Sequence, residues 1–415
     1  MSGEFSAAPG FSTFEKQDSV LLALSGGVDS AVTAHILRQQ GFSVQGLFIL
    51  FSSAHEAALE KARQAAKELA IPFHVADARE AFERAVVQPF CQAYCAGRTP
   101  SPCVACNPLV KFRTLADTAT RLGIPYLASG HYARVVQQGS AFHIARAQSA
   151  ARDQSYMLYA LGQDILSRLC LPLGEFEKED IRAMAASYGL SSAEAPDSQE
   201  ICFIPDGDYA AFIAARGLAD TPGHFLGPAG EDLGPHRGVS YYTVGQRKGL
   251  GIAYGQPVFV RRILPNGDIQ LATAGGEEYA GITVAQPFSA SGTPFAAGQR
   301  FCCKVRSRAA AVPCTVVQAG GPLLTLRFDS PVRAPAPGQA AVFYDGDVVL
   351  GGGIMREPYI LGQLERMAAP MVKPSFRGCR VVPAALGNNA GLMGAGYLAA
   401  NIGSGWHPPR SGRTV

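Results

Sequence analysis

Residues 20–39, VLLALSGGVDSAVTAHILRQ, constrain the fold more than any other stretch of the chain. An apolar run of strand length, 20–24, meets a turn made of Ser25, Gly26, Gly27, Val28, Asp29 and Ser30. Beyond it Val32, Ile36 and Leu37 recur at helical spacing. Strand, glycine turn and helix in that order make an anion site. The free N–H groups and positive end of the helix favour phosphate, and glycines let the backbone come close to it. The hydroxyls of Ser25 and Ser30 can donate further bonds. The spacing GxxxxGK[ST] is absent, so no lysine of this loop is placed on a β- or γ-phosphate. The plain alternative is an ordinary glycine-rich turn.

The surrounding pattern supports a nucleotide fold. Apolar runs at 44–51, 72–75 and 125–129 alternate with helical patterns at 56–70, 81–94 and 109–122. That alternation predicts an α/β domain built on a doubly wound parallel sheet, with ligands beyond the strand C-termini. Ser25 to Ser30, Ile49, Gly130 and His131 fall there. From about residue 285 short strand patterns (300–306, 313–317, 323–328, 340–344, 348–350) predict a small β-barrel. Residues 208–280, rich in glycine and turns, read as a small mixed domain.

With 415 residues and 47% hydrophobic composition the chain can hold two or three domains, and a net charge of only +3 leaves RNA contact to local patches. The N-terminal segment shows neither a basic n-region nor an apolar core of a signal peptide, and no apolar run reaches membrane-spanning length. Ten cysteines in such a chain point to the cytosol and to catalytic or metal-binding thiols. Cys103 and Cys106 form a CxxC just before the 109–122 helix, where a helix N-terminus favours thiolate. A redox dithiol, a nucleophilic thiol and a share in a three-cysteine iron–sulfur site all fit that spacing. A zinc site lacks its second pair, since Cys302 and Cys303 are adjacent within a strand pattern. Cys202, between Ile201 and Phe203, would alone pass for a core thiol.

Taken together, SGGVDS (25–30), RTPSPCVACN (98–107), KF (111–112), SGHYAR (129–134), RDQSYML (152–158), PDSQEICFIP (196–205), YTVGQRKGLGI (242–252) and LGGGIM (350–355) resemble the tRNA-specific 2-thiouridylase family (MnmA/TrmU). SGGVDS itself resembles the PP-loop of ATP pyrophosphatases. The resemblance implies an adenine nucleotide alpha hydrolase-like catalytic domain at 19–207 behind a disordered lead-in, 1–18. It also implies a central domain at 208–282, a β-barrel at 283–357 and a tail outside the family at 358–415. The implied reaction adenylates the C2 oxygen of the wobble uridine with ATP and Mg²⁺, then brings in sulfur.

By resemblance, Cys202 carries a persulfide and Cys106 is its nucleophilic partner, leaving a Cys106–Cys202 disulfide to be reduced. Cys103 stands where many members have aspartate, so Cys103, Cys106 and Cys202 also match a set that can hold a [4Fe–4S] cluster. ATP is expected at Ala23, Leu24, Ser25, Gly26, Gly27, Val28, Asp29, Ser30, Ile49 and Gly130, with Asp29 toward Mg²⁺ or capping the helix. The tRNA anticodon stem-loop is expected at Ser101, Pro102, Arg152, Asp153, Gln154, Arg306 and Ser307, with Arg247 and Lys248 set in a glycine-flanked motif. Sulfur would come from a donor protein such as a cysteine desulfurase or its relay. Two other classes compete: an ATP-dependent amidoligase, for which paired thiols have no use, and a tRNA binder that has lost its chemistry. Residues 384–399 resemble the C-terminal end of ROK-family sugar kinases, without a second phosphate loop.

Overall fold

The computed structural model describes residues 18–191, 201–218 and 220–356. Residues 1–17 of the lead-in, the PDSQE stretch (196–200) and the tail with its kinase-like stretch lie outside the described residues.

The first sheet comprises β1 (Ser19–Ala23), β2 (Ser43–Leu50), β3 (Phe73–Asp77), β4 (Tyr126–Ser129) and the short β7 (Leu169–Cys170). All are parallel, in the order β3-β2-β1-β4-β7. Strand β1 is buried on both faces. Leu21 joins a core with Leu47, Phe112 and Leu115, whereas Val20 and Leu22 join another with Val32, Ile36 and Leu37. A strand apolar on both faces needs a helix layer on each side, which the βαβ crossovers supply. The strand order reverses between β1 and β4, so the crevice beyond their C-terminal ends receives both the SGGVDS loop and Gly130–His131.

The expected helix at 109–122 begins earlier than its apolar pattern. A short turn of α-helix (Pro102–Cys106) runs into a π-helical turn (Asn107–Lys111) and then into Phe112–Leu122. Cys103 and Cys106 are therefore within helical structure rather than ahead of it. Such π-turns carry an extra residue per turn and gather at functional sites.

The mixed domain is a four-stranded sheet ordered β10-β11-β8-β9, from β8 (His224–Leu226), β9 (Asp232–Pro235), β10 (Val258–Ile263) and β11 (Ile269–Thr273). The barrel is antiparallel: β12 (Glu278–Ser289), β13 (Arg300–Lys304), β14 (Val312–Gly320), β15 (Leu323–Arg333), β16 (Ala340–Asp345) and β17 (Val348–Met355). Pairing of β12 with β17 closes it around Ile282, Val284, Phe301, Val316 and Phe343. One feature was not legible beforehand. The hairpin β5 (Ala133–Gln138) and β6 (Ala141–Arg146) leaves the first domain and pairs with β17, fusing barrel to catalytic sheet. Among the described residues no helix is long and apolar enough to cross a membrane.

Candidate active site

The phosphate loop has the expected form. Gly26 has φ +80°, a conformation L side chains resist, and a Cβ there would lie 2.6 Å from the Ala62 backbone nitrogen of helix Glu56–Glu68. Gly27 precedes helix Val28–Gln39 with no side-chain cap, which leaves the helix's first N–H groups for a ligand. Ser30 Oγ donates to the Gly27 carbonyl (3.0 Å) and accepts from the Ser25 N–H (3.2 Å). Both hydroxyls shape the loop: Ser25, the more exposed, has its Oγ 3.2 Å from Ser30 Oγ and accepts from the Gly27 N–H. Ala23 is half-buried at the end of β1, while Leu24 and Ile49 are core residues at the ends of β1 and β2, near 1% and 5% exposed. A Cβ on Gly130 would come within 3.1 Å of the Asp29 backbone, so glycine lets the two loops touch.

Asp29 is the second residue of its helix, not the cap. Its Oδ1 accepts from Tyr132 Oη at 2.8 Å and pairs with Lys178 Nζ at 2.7 Å. Lys178, buried at the start of helix Lys178–Ser187, thus places an ammonium at the phosphate loop that the loop's own spacing lacks. Local sequence reading misses it because 149 residues separate the partners.

Beyond β4, His131 Nδ1 bonds Ser129 Oγ at 2.8 Å, and its ring stacks on Phe112 at 5.7 Å. Burial, then the nearby Lys111 charge, hold His131 well below the usual imidazole range, so it is neutral. Lys111, at the end of the π-turn, is itself depressed by burial while Cys106, Cys103 and Cys202 pull the other way. One ammonium therefore feels all three thiols that the motifs singled out. Cys202 also helps to raise Cys106, although the two are 96 positions apart in the chain.

The thiolate expectation is corrected here. Burial pushes Cys106 up to about 12 and Cys202 up to about 11, and Cys103 rises in the same direction. The Lys111 charge opposes this without overcoming it. Cys106 is the fifth residue of the continuous helical run 102–122, past the first turn in which a helix dipole favours thiolate. Cys103 and Cys202 do present surface to solvent, but protein encloses their sulfurs on the remaining sides. All three are free thiols. Phe203 and Ile204 anchor the Cys202 segment: Phe203 packs on Phe82, Phe90 and Phe212 at 5.4–5.5 Å. Among the described residues no three His, Cys, Asp or Glu side chains are arranged to hold a single metal ion.

The expected RNA-binding residues divide. Ser101 precedes the Pro102 helix and is half-exposed, as is Pro102. Arg152 is exposed. Asp153 accepts from the N–H groups of Ala147 and Ser155 and from Ser155 Oγ, and Gln154 Oε1 accepts from the Tyr132 N–H. These two shape the site rather than face outward. Arg306, half-exposed, donates to the carbonyls of Val244 (2.6 Å) and Ala334 (2.9 Å), clamping the YTVGQRKG loop to the barrel. Its neighbour Ser307 is half-exposed, and Arg247 and Lys248 are exposed at the loop tip. The segment ahead of Cys103 is pinned too, with Thr99 N–H donating to the Pro337 carbonyl (2.8 Å) and Gln339 donating to the Thr99 carbonyl (2.9 Å).

Three consecutive family models cover most of the chain: the tRNA methyl transferase HUP domain (18–206), the tRNA methyl transferase PRC-barrel domain (211–269) and the aminomethyltransferase beta-barrel domain (280–355). A ROK family match at 334–402 begins within the barrel, whose β16 and β17 are paired as barrel strands. The chain is 43% identical over 352 residues to the tRNA-specific 2-thiouridylase MnmA of Syntrophotalea carbinolica, covering 82% of this chain and 99% of that protein. It is 39% identical over 350 residues to that of Lachnoclostridium phytofermentans, with 80% and 98% covered. Among solved structures it is similar to a 4-thiouridine synthetase–RNA complex (TM-score 0.31, 16% identity, 48% of this chain, 50% of that one). It is also similar to the U34-tRNA thiolase NcsA of Methanococcus maripaludis (0.32, 15%, 48% and 71%). The chain belongs to the tRNA-specific 2-thiouridylase MnmA family.

Proposed function

We propose that this protein is an ATP-dependent tRNA sulfurtransferase of the cytoplasm that converts the wobble uridine, position 34, to 2-thiouridine. The observation that carries this reading is a phosphate loop and three thiols joined through Gly130, His131 and Lys111 at the carboxyl end of one sheet. The catalytic part would be 19–207, with 208–282 and 283–357 placing the RNA.

The uridine C2 oxygen attacks the α-phosphate of ATP, and pyrophosphate leaves into the loop of Ser25–Ser30. Lys178 stands ready to offset its charge, and Mg²⁺ would lie toward Asp29, whose Oδ1 is already engaged. The terminal sulfur of a Cys202 persulfide then reaches C2, and AMP departs. Cys106 closes on Cys202 Sγ as the sulfur leaves, so the two thiols end as a disulfide that an external reductant must reopen. Thiols held protonated suit a site that stays quiet until loaded by a donor protein. Lys111 is placed to stabilise whichever sulfur is anionic. A second reading is favoured by Cys103, the third thiol on the same ammonium: Cys103, Cys106 and Cys202 would hold a [4Fe–4S] cluster that supplies sulfide.

The test is incubation with ATP, a sulfur source and tRNA. AMP together with 2-thiouridine at the wobble position is the expected result. AMP without thiolation indicates a synthetase, and neither product indicates a binder. Anaerobic iron and sulfide analysis separates the persulfide from the cluster route. Cys106→Ser and Cys202→Ser are each expected to abolish thiolation while ATP still binds.

A further inference from the structure

A recess of about 560 Å³ opens at the seam where the β5–β6 hairpin joins the barrel. Its walls carry Arg134, Arg146 and Lys304 together with Asp153, Glu175 and Asp347. Opposite charges are equal in number, but they are not equally available. Asp153 already accepts three hydrogen bonds and lies 3.9 Å from Lys304. Asp347 is shared with Arg134 at 3.5 Å. Arg146 lies over the Tyr344 ring at 4.5 Å, with its Nε buried and without a hydrogen-bond partner. Lys304 shares that ring at 6.0 Å. Burial, together with the Arg146 charge, depresses the Lys304 ammonium, while Asp153 opposes this.

Two half-buried cations packed on one aromatic ring put positive charge on the wall of the recess that an anion would offset. The carboxylates of Glu175 and Asp347 in the same wall would repel a bare polyanion but accept from a hydroxyl. Phosphate acceptors and hydroxyl donors side by side describe ribose-phosphate. Asp153, the middle residue of the RDQ motif, forms part of the wall.

We propose that this recess binds a sugar–phosphate segment of the substrate RNA away from the reacting uridine, with Arg146 and Lys304 on phosphate and a carboxylate on a 2′-hydroxyl. The inference rests on the RNA-modifying reading above. It assigns a binding role to Arg146 and Lys304, outside the motifs that suggested that reading.

The experiment measures tRNA binding by the full chain against salt for wild type, the Arg146→Gln/Lys304→Gln double variant, and Lys304→Gln alone in case the double variant fails to fold. Each lost phosphate contact should flatten the log–log slope by about one unit, and affinity should fall roughly tenfold. ATP affinity should stay at the wild-type value. Lys304→Arg should restore the slope. An anticodon-arm RNA with 2′-deoxy substitutions should lose affinity for wild type and not for the double variant. An unchanged slope in Lys304→Gln overturns the proposal. Inorganic phosphate that competes with RNA at constant ionic strength in wild type, but not in the variants, also overturns it, in favour of a small-anion site. A wild-type protein that fails to bind tRNA at all overturns the RNA reading itself, which is a distinguishable failure.

Discussion

Lys178 Nζ and Asp29 Oδ1 lie 2.7 Å apart, and this pair ties the phosphate loop to a helix from the far end of the catalytic domain. The lysine side chain is 4% exposed and the aspartate 33%. The lysine would be costly to bury without a partner, and removing it would strand a carboxylate at the mouth of the loop. Because Asp29 is partly solvated, Lys178→Met should destabilise by about 1–3 kcal/mol, less than a fully buried pair would lose. AMP formation should drop at least about tenfold if the ammonium also serves the departing pyrophosphate. Urea denaturation and pyrophosphate release, measured on Lys178→Met and on Asp29→Asn separately and together, check both parts. Simple additivity of the two variants would show that the pair is not coupled.

Gly26 supplies a second test of the loop. Its positive φ disfavours any L side chain by roughly 1–2 kcal/mol, and the added Cβ would press on the Ala62 nitrogen and on Lys61. Gly26→Ala should therefore weaken ATP binding by at least about tenfold, with a loss of stability of more than about 1 kcal/mol. Isothermal titration with ATP and a thermal melt provide the check. A Gly41→Ala control, also at positive φ but with open space around its Cβ, should lose stability and leave ATP binding intact.

What the chain discloses in advance follows from range. The loop from Ser25 to Ser30 is one contiguous run, so strand, glycine and helix signals coincide, and the structure has that order. The barrel strands likewise follow local alternation. Lys178 escaped, and Lys111 entered only within the KF pair and without a role, because a lone lysine carries no local signal. Its meaning arises when a helix 149 residues away, or a π-turn, buries it among partners. For Arg306 a basic cluster signals only charge, and its bonds to two backbone carbonyls could not be read from the run itself. The helix-terminus argument for thiolate failed because desolvation outweighs a dipole that Cys106 does not face.

Those thiols make a pH prediction with a definite sign. In the unfolded chain a cysteine titrates near 8.5, while in the folded protein Cys202 and Cys106 hold their protons to about 11 and about 12. Between those limits the folded state binds more protons than the unfolded state, so stability is complete below about pH 8.5 and falls as pH rises through that window. In protein free of any cluster, iodoacetamide alkylation of Cys106 and Cys202 should be slow at pH 7.5 and should still be accelerating at pH 10. Peptide mapping by mass spectrometry gives the rates. A plateau below pH 8 would mean that Lys111 overrides burial.

Phe203 holds the segment that carries Cys202. Its ring is 6% exposed and meets three other phenylalanines, and Phe90 in turn packs on Tyr94 and Tyr209. Truncation to alanine removes a side chain worth about 3–5 kcal/mol in such a setting. Part of that loss should be local, because Cys202 lies on the exposed side of a chain whose neighbours, Phe203 and Ile204, are its anchors. Phe203→Leu, which keeps most of the volume, should cost about 1 kcal/mol and retain thiolation. Phe203→Ala should free the segment, so that Cys202 alkylates faster while Cys106, set in its own helical turn, does not. Thiolation should fall more steeply than AMP formation, since adenylation uses the phosphate loop and sulfur delivery uses the anchored segment. Equal loss of both activities would mean that the aromatic cluster supports the whole domain and not the thiol in particular.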